Sequence, residues 1–160
     1  MDYEIHHLAI GQVAQAFPLV REFAGELTLE RWRDFAAAMV APAPVGRGVA
    51  ASGIVAAERL GYIRGLFTYI VIADLSHEQV LLVQNFCVIE VIRRDGVSDA
   101  LLGEMAKLAR QLSCKAIHAI LEPGSEWALL QFQRQGHHKA GLSLCNPLLQ
   151  VPEGQFDHAR

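Results

Sequence analysis

The chain has 160 residues, enough for one domain with a substantial core, and its 14 basic and 17 acidic side chains leave a formal charge of −3. That balance provides no global basic field to attract nucleic acid, which is therefore excluded as a primary partner. Met1-Asp2-Tyr3-Glu4 lacks the basic region and apolar core of a signal peptide, and no apolar run reaches membrane-spanning length, so a single cytoplasmic domain over 1–160, without membrane association, is expected.

Residues from about Tyr3 to Ile10 read as a short first strand. Val13, Phe17, Val20, Ala24 and Leu27 then recur at helical spacing, with Pro18 expected to kink that helix or begin its second half. Thr28 is placed to cap a second helix, in which Trp32, Phe35, Ala36, Met39 and Val40 form an apolar stripe. Ala41-Pro42-Ala43-Pro44 ends it. Gly46-Arg47-Gly48 with Gly53 has the look of a dinucleotide loop, but it follows this proline stretch and not a strand, so it reads as a loop entering a strand. Three β-rich runs come next, near Ala50 to Glu58, Tyr62 to Asp74 and Gln79 to Ile89. The short breaks at Leu60-Gly61 and Ser76-His77-Glu78 imply an antiparallel meander.

The run from Val88 to Leu102 is the most informative. An apolar strand breaks at Arg93-Arg94-Asp95-Gly96-Val97-Ser98 and becomes a helix whose Val97, Leu101, Met105, Leu108 and Leu112 share one stripe. The first N–H groups of a helix have no intrahelical partners and sit at the positive end of its dipole, so this turn suits a phosphate, with the arginines adding full charges. The plainer alternative is a solvated connection whose arginines lie along the surface. A strand near Ala116 to Leu121 follows and completes a βαβ unit with a parallel pair. Ser125 to Gly136 reads as a further helix, Lys139 to Cys145 as a strand, and a last short strand is sought in Leu148-Leu149-Gln150-Val151.

Cys87, Cys114 and Cys145 are odd in number and widely spaced, and they read as buried thiols. Seven histidines include the adjacent pairs His6-His7 and His137-His138. Neighbours on a strand point to opposite faces and chelate poorly, so no metal site is expected.

Arg93-x-x-Gly96-x-Ser98 resembles the Arg/Gln-x-x-Gly-x-Gly/Ala pyrophosphate loop of the GCN5-related N-acetyltransferase (GNAT) superfamily. Ser125, Ala128, Phe132, Gly136 and His137 fall in register with its later Asn-x-x-Ala-x-x-x-Tyr-x-x-x-Gly-Phe motif, with Ser for Asn, Phe for Tyr and His for Phe. The element order agrees over nearly the whole chain. The resemblance implies an α/β (α+β) domain: a mixed, mostly antiparallel twisted sheet with helices on both faces and a parallel pair of strands 4 and 5. It also implies acetyl-CoA, or another acyl-CoA, as a substrate. The pantetheine arm would pair with the backbone of Val88, Ile89 and Glu90, and the pyrophosphate would sit on Arg93, Arg94, Asp95, Gly96, Val97 and Ser98. Ser125 and Phe132 would lie beside the arm.

Acetyl transfer to an amine needs a route for its proton and often an acid for the departing thiolate. Phe132 lacks the hydroxyl that the family commonly keeps at that position, and Leu82 stands where some members carry a base glutamate. Glu90, Gln84 and Tyr69 are the remaining catalytic candidates, with Arg64 a further one for the acceptor pocket. The leading expectation is acyl transfer to a small-molecule amine. A catalytically weak or inactive coenzyme A-binding or partner-binding module is the alternative, and a structural homodimer without ligand is a third.

Overall fold

The computed structural model describes residues 2–41, 51–89 and 94–148, and the side chains of 94 and 95 are not among the features described. Glu90 and Arg93 therefore lie outside the described residues, as do the Gly46-Arg47-Gly48 loop and most of the final strand sought near Leu148 to Val151. The elements are β1 (Glu4–His7), α1 (Val13–Phe23), α2 (Leu29–Val40), β2 (Ser52–Arg59), β3 (Tyr62–Asp74), β4 (Glu78–Val88), α3 (Arg94–Gln111), β5 (Ala116–Ala119) and α4 (Glu126–Arg134). A single turn of 3-10 helix at Ile10–Gln12 leads into α1.

The five strands form one sheet in chain order, antiparallel from β1 to β4, with β5 parallel to β4. This is the mixed sheet expected from the sequence, and helices cover both faces. On one face Val97, Leu101, Met105 and Leu108 of α3 and Phe132 of α4 pack with Phe67, Leu81 and Val83. On the other, Ala16, Leu19 and Val20 of α1 and Trp32 and Ala36 of α2 pack with Ile54, Ala56 and Leu66.

Local chemistry accounts for most of the boundaries. The Leu60-Gly61 hairpin has both residues at positive φ, 53° and 79°, the twist that a two-residue turn needs to match its strands. Thr28 Oγ1 accepts from the Arg31 N–H at 3.2 Å and caps α2 as the sequence predicts. The buried Trp32 donates its indole N–H to the Val13 carbonyl at 2.7 Å, tying α2 to the start of α1. Helix α1 runs unbroken through Pro18, and it stops at Phe23, short of Ala24 and Leu27.

One expected element is absent. Residues 139–145 form no strand, and β5 has no second neighbour among the described residues. Leu142, Leu144 and Leu148 are 94%, 92% and 89% exposed. The alternation that signals a strand is present there, but a strand also needs a partner edge, which periodicity alone does not supply. Among the described residues no helix is long and apolar enough to cross a membrane.

Candidate functional site

The site is built where β4 and β5 part. Parallel pairing runs from Val80↔Ala116 to Val83↔Ala119, and the last bond of the junction is Ile120 N–H to the Val83 carbonyl at 2.9 Å. Beyond Val83, β4 has no neighbour on this side among the described residues while remaining paired with β3 on the other, as far as Gly65↔Val88 and the Ile89 N–H to Arg64 carbonyl bond at 2.9 Å. The result is a wedge-shaped gap with strand backbone along one wall.

A β-bulge turns the two strands apart. The register steps from Thr68↔Gln84 to Leu66↔Cys87, so Asn85 and Phe86 together oppose Phe67. Asn85 takes φ 52°, a left-handed conformation that Asn tolerates better than most residues. The buried Thr68 hydroxyl holds the bulge: it donates to the Gln84 carbonyl at 3.1 Å and accepts from Asn85 Nδ2 at 2.9 Å. The extra residue moves Phe86 and Val88 to the α3 face, where both pack against the core cluster. By the same alternation their main-chain groups turn toward the gap. Phe86 there meets Phe132 edge to face, with centroids 5.0 Å apart, and His137 closes on the other side of Phe132 at 5.0 Å.

The N-terminal end of α3 is brought against the end of β4 by a glycine. A Cβ on Gly65 would stand 2.8 Å from Val97 Cγ1 and 2.9 Å from Leu101 Cδ1, so only a residue without a side chain lets the helix pack this closely. Val97 and Ser98 are fully buried in the first turns of α3 and Gly96 is exposed. Ser98 Oγ has no hydrogen-bond partner among the described residues. An open strand edge, a helix N-terminus and a buried hydroxyl with no described partner thus converge at one corner. These features fit an extended chain bearing amides at one end and an anion at the other.

Of the residues singled out from the sequence, Val88, Ile89, Gly96, Val97 and Ser98 lie at this corner, and Phe132 is buried in the core against Phe86. Ser125 is the N-cap of α4, with its side chain making no capping bond. Gln84 is exposed at the bulge. Tyr69 is placed elsewhere: its ring packs in the α3-side core and its hydroxyl shares a 3.0 Å hydrogen bond with His7 Nε2 on β1. Burial raises its pKa, which makes it a poorer proton carrier at neutral pH. Arg64 lies over the Tyr62 ring, 5.4 Å from its centroid. Glu122, in the β5–α4 connection, was not singled out. Its carboxylate is close enough to add to the effect of burial on Cys87, whose thiol is pushed up to about 12. Only the knowledge that β5 leaves β4 at Val83 would have drawn attention to that residue.

No protein-family model matches the chain, and no curated protein matches it. Solved structures do. An aminoglycoside N-acetyltransferase in complex with CoA superposes with a TM-score of 0.76 at 10% identity, over 92% of this chain and 95% of that one. A probable acetyltransferase gives a TM-score of 0.72 at 20% identity, over 94% and 100%. A transcriptional regulator from Bacillus halodurans C-125 gives 0.72 at 13%, over 92% and 100%. The class is an α/β domain whose parallel pair splays beside a helix N-terminus. More particularly, the fold is that of the GCN5-related N-acetyltransferases.

Proposed function

We propose that the chain is an N-acyltransferase that takes acetyl-CoA, or another acyl-CoA, as donor and a small-molecule amine as acceptor. The observation that carries this reading is the gap opened by the Asn85 bulge next to the N-terminal end of α3. Its wall offers strand amides for the pantetheine arm at Phe86 and Val88, whereas the Ile89 N–H is already taken by the Arg64 carbonyl, and Glu90 follows in the chain. The first turn of α3 offers N–H groups, with Gly96, Val97 and Ser98 following Arg93, Arg94 and Asp95 in the chain, for the pyrophosphate. When bound, the coenzyme supplies an acyl thioester that an amine nitrogen attacks, leaving the acyl group on nitrogen and the thiolate on the coenzyme.

The chain's own part is to position that thioester and to move a proton. Glu122, in the β5–α4 connection, suits the acceptance of a proton from the amine, directly or through water. Gln84 at the mouth of the gap is an amide without useful basicity and serves to orient. Phe132 has no hydroxyl and protects the sulfur end of the gap from water without donating to it.

Phe132 also favours a second reading, a module that holds coenzyme A without appreciable turnover. Incubation with acetyl-CoA and a panel of amines, with free thiol as the readout, separates the two. An acyltransferase releases thiol in proportion to one class of amine, whereas a binding module shows a thermal shift with coenzyme A and no amine-dependent thiol. A folded protein with neither response contradicts both.

A further inference from the structure

Away from the gap, the turn between β3 and β4 carries Asp74 and His77, and the edge strand β5 carries His118. The three side chains converge, with one donor atom from each lying within 4.8 Å of the other two. The arrangement follows from the strand alternation. Ile117 and Ala119 point into the core on the α3 face, so His118 points to the opposite face, where it meets His77 edge to face with centroids 5.7 Å apart. The turn itself is held by Asp74, whose Oδ2 accepts from the Ser76 N–H at 3.0 Å and the His77 N–H at 2.9 Å, with His77 Nδ1 3.1 Å away. These bonds fix the orientation of the carboxylate and keep one histidine against it.

Two imidazoles and one carboxylate are a donor set for zinc and its first-row neighbours and not for calcium or magnesium, which take oxygen ligands. Ligands on one tetrahedral ion, with bonds of about 2.0–2.1 Å, stand about 3.3 Å apart. The donor atoms, within 4.8 Å of one another, must close by about 1.5 Å at most to reach that spacing. Asp74 and His118 are half-buried and His77 is exposed, so an ion has access from solvent.

We infer that Asp74, His77 and His118 form a binding site for one divalent transition-metal ion of the zinc class, which clips the edge strand β5 to the β3–β4 turn. The ion joins two elements that the backbone does not join there, since among the described residues β5 is paired only with β4 and over only four residues. The gap depends on where β5 ends, so the clip also steadies one of its walls. The inference does not rest on the acyl-transfer reading and survives if that reading fails.

The test is calorimetric titration of the chelator-treated full chain with zinc chloride, together with the visible absorption of the protein in cobalt(II) chloride. The expected result is one ion per chain with micromolar affinity and a cobalt band typical of a four- or five-coordinate nitrogen and oxygen site. His118→Ala and Asp74→Asn are each expected to weaken zinc by about tenfold or more, and zinc should raise the melting temperature of the parent chain but not of His118→Ala. The double variant His6→Ala, His138→Ala should bind as the parent does, because neither residue belongs to the set. Circular dichroism checks the fold, and His118→Gln, which keeps a long polar side chain, must also lose the cobalt band. Absence of saturable zinc binding to the folded parent, or unchanged binding in His118→Ala and His118→Gln, overturns the inference.

Discussion

Phe86 and Phe132 meet edge to face in the α3-side core, with ring planes at 78° and centroids 5.0 Å apart. One ring stands on β4 just past the bulge and the other on α4, so this contact joins the strand wall to the helix that follows β5. Phe132 is 2% exposed, and truncation to Ala is expected to cost about 3–5 kcal/mol. A double-mutant cycle with Phe86→Ala should return a coupling of about 0.5–1.5 kcal/mol, measured by chemical denaturation. Phe132→Tyr places a hydroxyl in the same buried space and is expected to lose about 1–3 kcal/mol where that hydroxyl finds no partner.

The bulge makes a sharper prediction, because its backbone excludes most side chains. At φ 52°, Asn85→Gly should lose only the bond to Thr68, about 0.5–1.5 kcal/mol, whereas Asn85→Ala should lose that bond and about 1–2 kcal/mol more from the left-handed conformation. Thr68→Val removes the hydroxyl that serves both partners and is expected to cost about 1–3 kcal/mol. Thermal and denaturant melts of the three variants give the order Asn85→Gly, then the other two.

Gly65→Ala tests how closely α3 sits. The new methyl would meet Val97 and Leu101 side chains and, at 3.2 Å, the Cys87 carbonyl, so the helix must shift outward. A loss of about 1–3 kcal/mol is expected from overpacking, together with weaker coenzyme A binding. Retention of both stability and affinity would show that the helix position is unimportant to the site.

The sequence makes some of this plain and hides the rest for identifiable reasons. The meander, the Thr28 cap and the α3 stripe follow from turn chemistry and periodicity, which are local. The start of α3 is legible because an apolar strand, a polar turn with a glycine and a helical apolar stripe come in one run. The bulge is hidden, since Asn85 inside a β-rich run carries no distinctive signal, yet it changes which face every later β4 residue occupies. Tyr69 had the right residue type for catalysis, but its hydroxyl is taken by His7, 62 positions away in the chain. The Lys139 to Cys145 alternation promised a strand, and no strand is formed there among the described residues. His118 reaches the Asp74–His77 turn only through the β4–β5 pairing, which no local pattern in the sequence reveals.

Cys87 and Cys145 should differ in reactivity. Cys87 is 4% exposed with its thiol pushed up to about 12, first by burial and then by Glu122, while Cys145 is exposed. At pH 8 a thiol reagent is expected to modify Cys145 at once and Cys87 only on unfolding. The pH dependence has a definite sign. The folded value lies above the unfolded value near 9.0. The stability that Cys87 lends is therefore complete below about pH 9 and is lost as pH rises from there toward the folded value, at no more than about 1.4 kcal/mol per pH unit. Cys87→Ala should show a shallower alkaline loss in parallel denaturation curves.

The central claim is that coenzyme A lies in the β4–β5 gap with its pyrophosphate at the start of α3, and calorimetric titration of the parent chain and Arg93→Glu with coenzyme A and with pantetheine tests it most directly. A charged hydrogen bond to phosphate is worth about 1.5–3 kcal/mol, or roughly ten- to a hundredfold in affinity. The account predicts that the parent binds coenzyme A, that Arg93→Glu weakens it by at least about tenfold, and that pantetheine binding is unchanged by the substitution. Failure of the folded parent to bind coenzyme A, or equal weakening of both ligands by Arg93→Glu, would contradict it.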